Sequence, residues 1–191
     1  MQRWERTDWG ADPQVILDAE PEVAGEEWGT TGRGPRIVAL FKEVLTQALD
    51  DGGEEDEWML FLEDDLDFHP RIGTLVDSWR ALDDSQCVMA SLFNPGLRSA
   101  DARGSMERAF AANPKTLLGG QAIMLRRGAA ARALAKWKTV SGLQAQRLAR
   151  LLGEEGPIWV HQPSLVQHVG EDSSWGGPLQ RALDFDSSWT F

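Results

Sequence analysis

The sequence predicts an α/β layered sandwich, one domain with a mainly parallel central sheet flanked by helices. Three observations carry that expectation. Short apolar runs at residues 58–62, 87–93 and 158–160 read as strands, the first of them buried on both faces. Other segments, above all 35–48, repeat their apolar residues at helical spacing. The two kinds alternate along most of the chain without internal repeat or low-complexity tract, the pattern of strand–helix–strand units. At 191 residues the chain is long enough for one core and short for two.

In chain order, residues 1–14 are polar apart from Trp4 and Trp9. Val15-Ile16-Leu17-Asp18 reads as a short strand ending in an acid, and residues 21–34, glycine-rich around Trp28, read as a loop able to close over a ligand. Pro35 opens an amphipathic helix with Ile37, Leu40, Phe41, Val44, Leu45 and Ala48 on one face, and Gly52-Gly53 stop it. An acidic connection, Glu54 to Glu57, leads into the strand at 58–62. A second helix is expected from Pro70, with Ile72, Leu75, Val76, Trp79 and Leu82 turned inward, followed by the strand at 87–93. Asn94-Pro95-Gly96 breaks that strand, and 97–115 reads as a loop holding one short helix near 103–112. Gly119-Gly120 precede a strand at 121–125, where paired glycines either make a bend or let a ligand approach the backbone. Helices follow at 128–137 and 141–152, the latter with Ser141 as N-cap, and Gly156-Pro157 turn into the strand at 158–160.

Composition narrows the function. Nineteen Lys and Arg against 30 Asp and Glu leave a net charge of −11, which argues against a nucleic-acid backbone or an anionic membrane as partner. A single cysteine, Cys87, excludes an intrachain disulfide and fits core filling in a reducing compartment. No apolar run reaches the length of a membrane-spanning helix and residues 1–30 hold no signal-peptide core, so a cytoplasmic location is expected. Nine Trp and no Tyr leave several Trp as candidate stacking surfaces for a ligand.

Chemistry concentrates in two stretches. Glu63, Asp64, Asp65 and Asp67 follow the central strand at once, at the sheet edge where open α/β folds bind ligands. Like charges a few ångströms apart raise one another's pKa or need a cation, and hard oxygen ligands suit Mg2+ or Mn2+. A solvated acidic turn is the ordinary alternative. The second stretch runs from Gln162 to Gly177 and contains His168, which reads either as a buried histidine bonded within its loop or as an imidazole ligand for the same cation.

Phe61-Leu62-Glu63-Asp64-Asp65, taken with Pro163-Ser164-Leu165-Val166-Gln167-His168-Val169-Gly170 and Ser173-Ser174, resembles metal-dependent GT-A (Rossmann-like) glycosyltransferases, closest to the N-acetylglucosaminyltransferase IV group and its small bacterial relatives. Gly119-Gly120-Gln121-Ala122 and the acidic-aromatic tail Ala182-Leu183-Asp184-Phe185-Asp186 add to the resemblance. It implies a hexosyl or N-acetylhexosaminyl transfer from a nucleotide-diphosphate donor, a UDP-sugar by expectation, to a carbohydrate or other hydroxyl acceptor, with inversion. Asp65 would bind Mn2+ or Mg2+ bridging the donor diphosphate, and His168 would complete the metal site. Asp64 or Glu63 would orient the donor, Gly119 and Gly120 would lie against the sugar with Gln121 as hydrogen-bond partner, and Trp175 or Trp28 would stack on a sugar face.

Two departures from the resemblance stand out. Only residues 1–14 precede the first strand candidate, where such enzymes carry a strand and helix around the nucleoside base. The segment from Arg126 to Gly153, where inverting relatives place the catalytic base, contains no Asp or Glu, and Gln144 and Gln146 stand about where an acid is expected. Asp172 is the first choice of base, with Glu154, Glu155 or Asp101 as substitutes. The alternatives to a transferase are a protein that binds a sugar nucleotide or carbohydrate without turnover, and a metal-dependent phosphohydrolase built on the same acids.

Overall fold

The computed structural model describes residues 3–16, 33–95, 109–115, 117, 119–170 and 180–188. In chain order its elements are α1 (Arg33–Asp50), β1 (Trp58–Leu62), β2 (Leu66–Phe68), α2 (Ile72–Asp77), β3 (Met89–Ser91), β4 (Ala109–Ala112), β5 (Ala122–Arg126), α3 (Arg127–Ala135), α4 (Gln144–Leu152), β6 (Ile158–His161) and β7 (Val166–His168). Five strands form one sheet in the order β1-β5-β3-β6-β4, and β2 pairs with β7 in a separate ribbon.

Period-two alternation along the strands builds two apolar layers. Met59, Phe61, Met89, Ile123, Leu125, Ile158 and Val160 face one side, where Leu45 of α1, Ala129, Ala130 and Ala133 of α3, and Leu148 and Leu152 of α4 cover them. Ala90, Ala122, Met124 and Trp159 face the other side, against Ile72, Leu75 and Val76 of α2 and Leu66 and Val166 of the ribbon. The sheet is therefore the middle of three layers, with helices below and the α2–ribbon layer above.

The mainly parallel sheet expected from the sequence is not what forms. β5 runs antiparallel to both β1 and β3, β4 runs antiparallel to β6, and among the described residues β3 with β6 is the only parallel neighbouring pair. β4 and β5 run against β1, β3 and β6 and lie next to them, which makes three of the four neighbouring pairs antiparallel. One helix between two strands returns the chain to its starting edge and gives a parallel pair, whereas the two helices α3 and α4 bring it back at the edge where β5 ended. Strand β6 then runs the opposite way. β1, β3 and β6 still point in one direction, so their carboxyl ends share one edge with the start of β5.

Local expectations meet the structure unevenly. Helix α1 ends where the glycines fall, with Gly52 and Gly53 at φ +78° and +132°, backbone only glycine adopts without strain. The helix expected from Pro70 is only six residues long, because after Asp77 the chain tightens into a 3-10 turn at Arg80–Asp83. Its first turn is capped from far away: Asp8 accepts the Gly73 and Thr74 amides at 2.7 and 3.1 Å. Residues 109–112, expected within a helix, form strand β4; alanine's helix preference yields to pairing along β6. Ser141 does not cap α4; Leu143 stands at that position, and its amide donates to Gln146 Oε1 at 3.2 Å. Val15 and Ile16 form no strand, and Leu17 and Asp18 lie outside the described residues. No helix among the described residues is long and apolar enough to cross a membrane.

Candidate metal centre

The acidic turn links the sheet to the ribbon. β1 pairs with β5 to the register Leu62↔Ala122, and the Glu63 amide extends the ladder by one bond, to Gln121 O at 2.9 Å. Three residues later β2 begins, paired with β7 in the register Leu66↔His168, and the Val169 amide donates to Asp65 O at 2.9 Å. Across this turn Asp64 and Asp67 are exposed, while Glu63 and Asp65 are partly buried. Leu66, Leu165 and Val166 are fully buried and anchor both strands of the ribbon, so His168 is held by core packing just before it in sequence and on the paired strand.

That register places the His168 imidazole on the acids. Nε2 lies 2.7 Å from Asp65 Oδ2, and one donor atom each from Glu63, Asp65 and His168 all fall within 4.8 Å of one another. The other ring nitrogen, Nδ1, is 3.2 Å from the carbonyl oxygen of Gln180. A carbonyl can only accept, so the tautomer with its proton on Nδ1 donates to Gln180 O and leaves the Nε2 lone pair facing the Asp65 carboxylate, an arrangement suited to a cation beside both; the other tautomer donates from Nε2 to Asp65.

Further features fit a hard divalent cation. Asp65 Oδ1 is buried and has no hydrogen-bond partner among the described residues. The space over the Asp65–His168 contact is kept open by a glycine: a Cβ on Gly170 would lie 2.6 Å from Asp65 Oδ2 and 3.1 Å from His168 Nε2. Two carboxylates and an imidazole form a donor set of the kind Mg2+ or Mn2+ accepts, with sites left for water or phosphate. Burial, reinforced by the negative charge of Asp65, pushes the Glu63 carboxyl up from 4.5 to about 7; Asp64 adds to the rise, while His168 and an amide from Gln144 oppose it. A cation would supply the neutralisation this crowding lacks.

Gln144, in the first turn of α4, is the residue sequence reasoning noticed without using. Its Nε2 donates to Glu63 Oε1 at 3.3 Å, which puts an amide at the acidic cluster where an acid had been sought. Gly119 and Gly120 also lie at this edge, but their missing side chains make room for protein. A Cβ on Gly119, which sits at φ +88°, would meet the Phe93 ring at 2.8 Å, and one on Gly120 would meet Gln144 Nε2 at 2.8 Å. They serve the bend and the packing; Gln121 joins the turn through its carbonyl, which accepts the Glu63 amide, and its side-chain Oε1 is buried without a partner among the described residues.

Glu154 is not brought to the site. It is exposed just before β6, at the edge where β1, β3 and β6 begin, beside the Arg132–Glu155 ion pair of 2.6 Å. Asp172, Trp175, Trp28 and Asp101 lie outside the described residues. Two contributors had little signal in the sequence. Gln180 acts through a backbone carbonyl, which no side-chain pattern reveals, whereas Gly170 was visible as a glycine two residues after the histidine. No model of a known protein family matches the chain, and no curated protein matches it either.

Proposed function

We propose that the protein is a divalent-metal-dependent glycosyltransferase that takes a sugar from a nucleotide-diphosphate donor, a UDP-sugar, and passes it to a hydroxyl acceptor. One observation carries this reading: His168, 103 residues beyond Asp65, converges with Glu63 and Asp65 at the carboxyl edge of β1, their donor atoms within 4.8 Å. Asp65 and His168 hold the metal, and Glu63 stands beside them within reach. Mg2+ or Mn2+ bound there supplies Lewis-acid stabilisation of the charge that develops on a diphosphate leaving group. The chain's own groups do the positioning. Asp64, exposed on the same turn, faces outward to accept hydroxyls of the donor. Gln144 fixes the Glu63 carboxylate by its amide, and Gln121 Oε1, buried and unpartnered, offers an acceptor to a donor hydroxyl. The sheet's edge position agrees with where open α/β folds bind ligands.

A second reading has its own support. The residue beside Glu63 is an amide, the segment 126–153 has no carboxylate, and Glu154 lies at the opposite edge, so a protein that binds a sugar nucleotide without turning it over also fits. Calorimetric titration with UDP and UDP-sugars, with and without Mn2+, run alongside a donor-hydrolysis assay, separates the two. Mn2+-dependent binding with turnover supports the transferase, binding without turnover supports the second reading, and no Mn2+-dependent binding overturns both. Phosphate release without sugar transfer would instead point to a phosphohydrolase.

A further inference from the structure

Gln167 lies on β7 between buried Val166 and His168, and its side chain leaves the ribbon on the other face to grip the tail of the chain. Its Nε2 donates to Ala182 O at 2.8 Å, and the Ala182 amide donates back to its Oε1 at 2.9 Å. A primary amide is suited to this, because it donates and accepts in the same plane as the peptide it meets. Ala182 is itself buried in the upper apolar layer, so the grip is anchored at both ends. Two residues before Ala182, the Gln180 carbonyl faces His168 Nδ1.

We propose that Gln167 is a positioning residue for the metal centre: by clamping the backbone of Ala182 it presents the Gln180 carbonyl to His168 Nδ1, and so keeps the bare Nε2 directed at Asp65. The inference rests on the metal-centre reading above and adds to it the device that selects the tautomer. An imidazole without the carbonyl partner is free to carry its proton on Nε2 and donate it to Asp65 Oδ2. That tautomer closes the position a cation needs. Hydrogen bonding of the far nitrogen of a ligating histidine sets both tautomer and ring orientation, and losing such a partner costs about 10–100-fold in metal affinity.

The test uses the full chain, Mn2+ alone as the affinity probe, and the Mg2+-loaded protein for long-range proton–nitrogen NMR of the imidazole. In the wild type the His168 Nδ1 proton is expected to be present and slow to exchange, with Nε2 unprotonated. Gln167→Met, close in shape but unable to make either bond, should weaken Mn2+ binding about 10-fold and speed exchange of the Nδ1 proton, with near-ultraviolet circular dichroism unchanged. Gln167→Ala serves if the methionine variant fails to fold. Mn2+ affinity within twofold of wild type together with an unchanged Nδ1 proton overturns the positioning role. His168→Ala separates that failure from a deeper one: if the wild type binds Mn2+ no more tightly than His168→Ala, the metal centre itself falls, and the role of Gln167 with it.

Discussion

The two edges of the sheet treat their acids in opposite ways. At the edge where β1 begins, Glu57 pairs with Arg127 Nε at 2.9 Å and Glu155 with Arg132 at 2.6 Å. Arg126 donates there to the carbonyls of Cys87, Asp56 and Leu82 at 2.9, 2.9 and 3.0 Å. At the edge where β1 ends, the partners the structure gives Glu63 and Asp65 are an amide and an imidazole. Both edges carry runs of carboxylates, Glu54 to Glu57 and Glu63 to Asp65, and from the sequence alone they look alike. The difference teaches that an acidic cluster acquires meaning from its counter-charge. Glu57 and Glu155 at the lower edge are neutralised by arginines within the fold, whereas Glu63 and Asp65 at the upper one are crowded and suited to a cation from outside.

The largest way to break that contrast is Asp65→Ala. It should reduce Mn2+-dependent UDP affinity by more than about 100-fold, beyond the range of outer-sphere changes, while the melting temperature stays level or rises, because the variant relieves crowding around Glu63. Titration calorimetry and thermal melting check the two halves. Unchanged Mn2+-dependent affinity would remove Asp65 from the site.

Next comes Gly170→Ala. It deletes no ligand, yet its Cβ would lie 2.6 Å from Asp65 Oδ2, and something must move. The carboxylate end moves most easily, so the fold should survive while the Asp65–His168 contact opens. About a 10–100-fold loss of Mn2+ affinity is expected, comparable to other losses of ligand orientation. A variant that binds Mn2+ like the wild type would show that the metal does not depend on this contact.

A pH profile sharpens the comparison further. Burial and the charge of Asp65 lift the folded-state value of Glu63 to about 7, against 4.5 as its ordinary value. Between those pH values the folded chain binds more protons than the unfolded one, so stability without metal falls as pH rises from about 4.5 through about 7. The full shift corresponds to at most ~3 kcal/mol, or roughly 5–10 °C in melting temperature for a chain of this size. Saturating Mn2+ should cancel the fall by competing with the proton, and Glu63→Gln should remove it. A profile that is flat in the wild type, or identical in Glu63→Gln, would show that the buried acid is not under this strain.

Much of the site was legible before the coordinates, and the reasons are physical. Five apolar residues ending in acids read as a central strand buried on both faces that delivers charge to an edge; β1 delivers the charge, but as the outermost strand of the described sheet, with burial alternating along it. His168 could be matched to that cluster as a chemical type, but the contact that unites them is set by the β2–β7 ribbon, two three-residue strands too short to announce themselves by periodicity. Strand direction was out of reach for a related cause. The helices flanking β5 and β6 were recognised, yet their even number, which reverses the second strand, matters only once the chain is threaded. Ala109–Ala112 carried a helical composition and was claimed by the open edge of β6. Gly119 and Gly120 told of a close approach without telling what approaches, and the answer was Phe93 and Gln144.

The smallest expected effect is the mirror of the Glu63 substitution on the other edge. Glu57→Gln removes one charge from an acidic run of similar length, but here the carboxylate has Arg127 beside it and its side chain is half-exposed. Exposed pairs of this kind contribute about 0–1 kcal/mol, so thermal melting should shift by no more than a few degrees, in the destabilising direction. Mn2+ affinity should not change at all, since the residue lies a full strand length from Asp65. The sign of the stability change is what discriminates: at neutral pH and without metal, neutralising Glu63 should stabilise the chain because its charge is uncompensated, and neutralising Glu57 should weaken it because its charge is compensated. If the two variants moved in the same direction, counter-charge would not distinguish the edges, and the case for a cation at the upper one would lose its electrostatic ground.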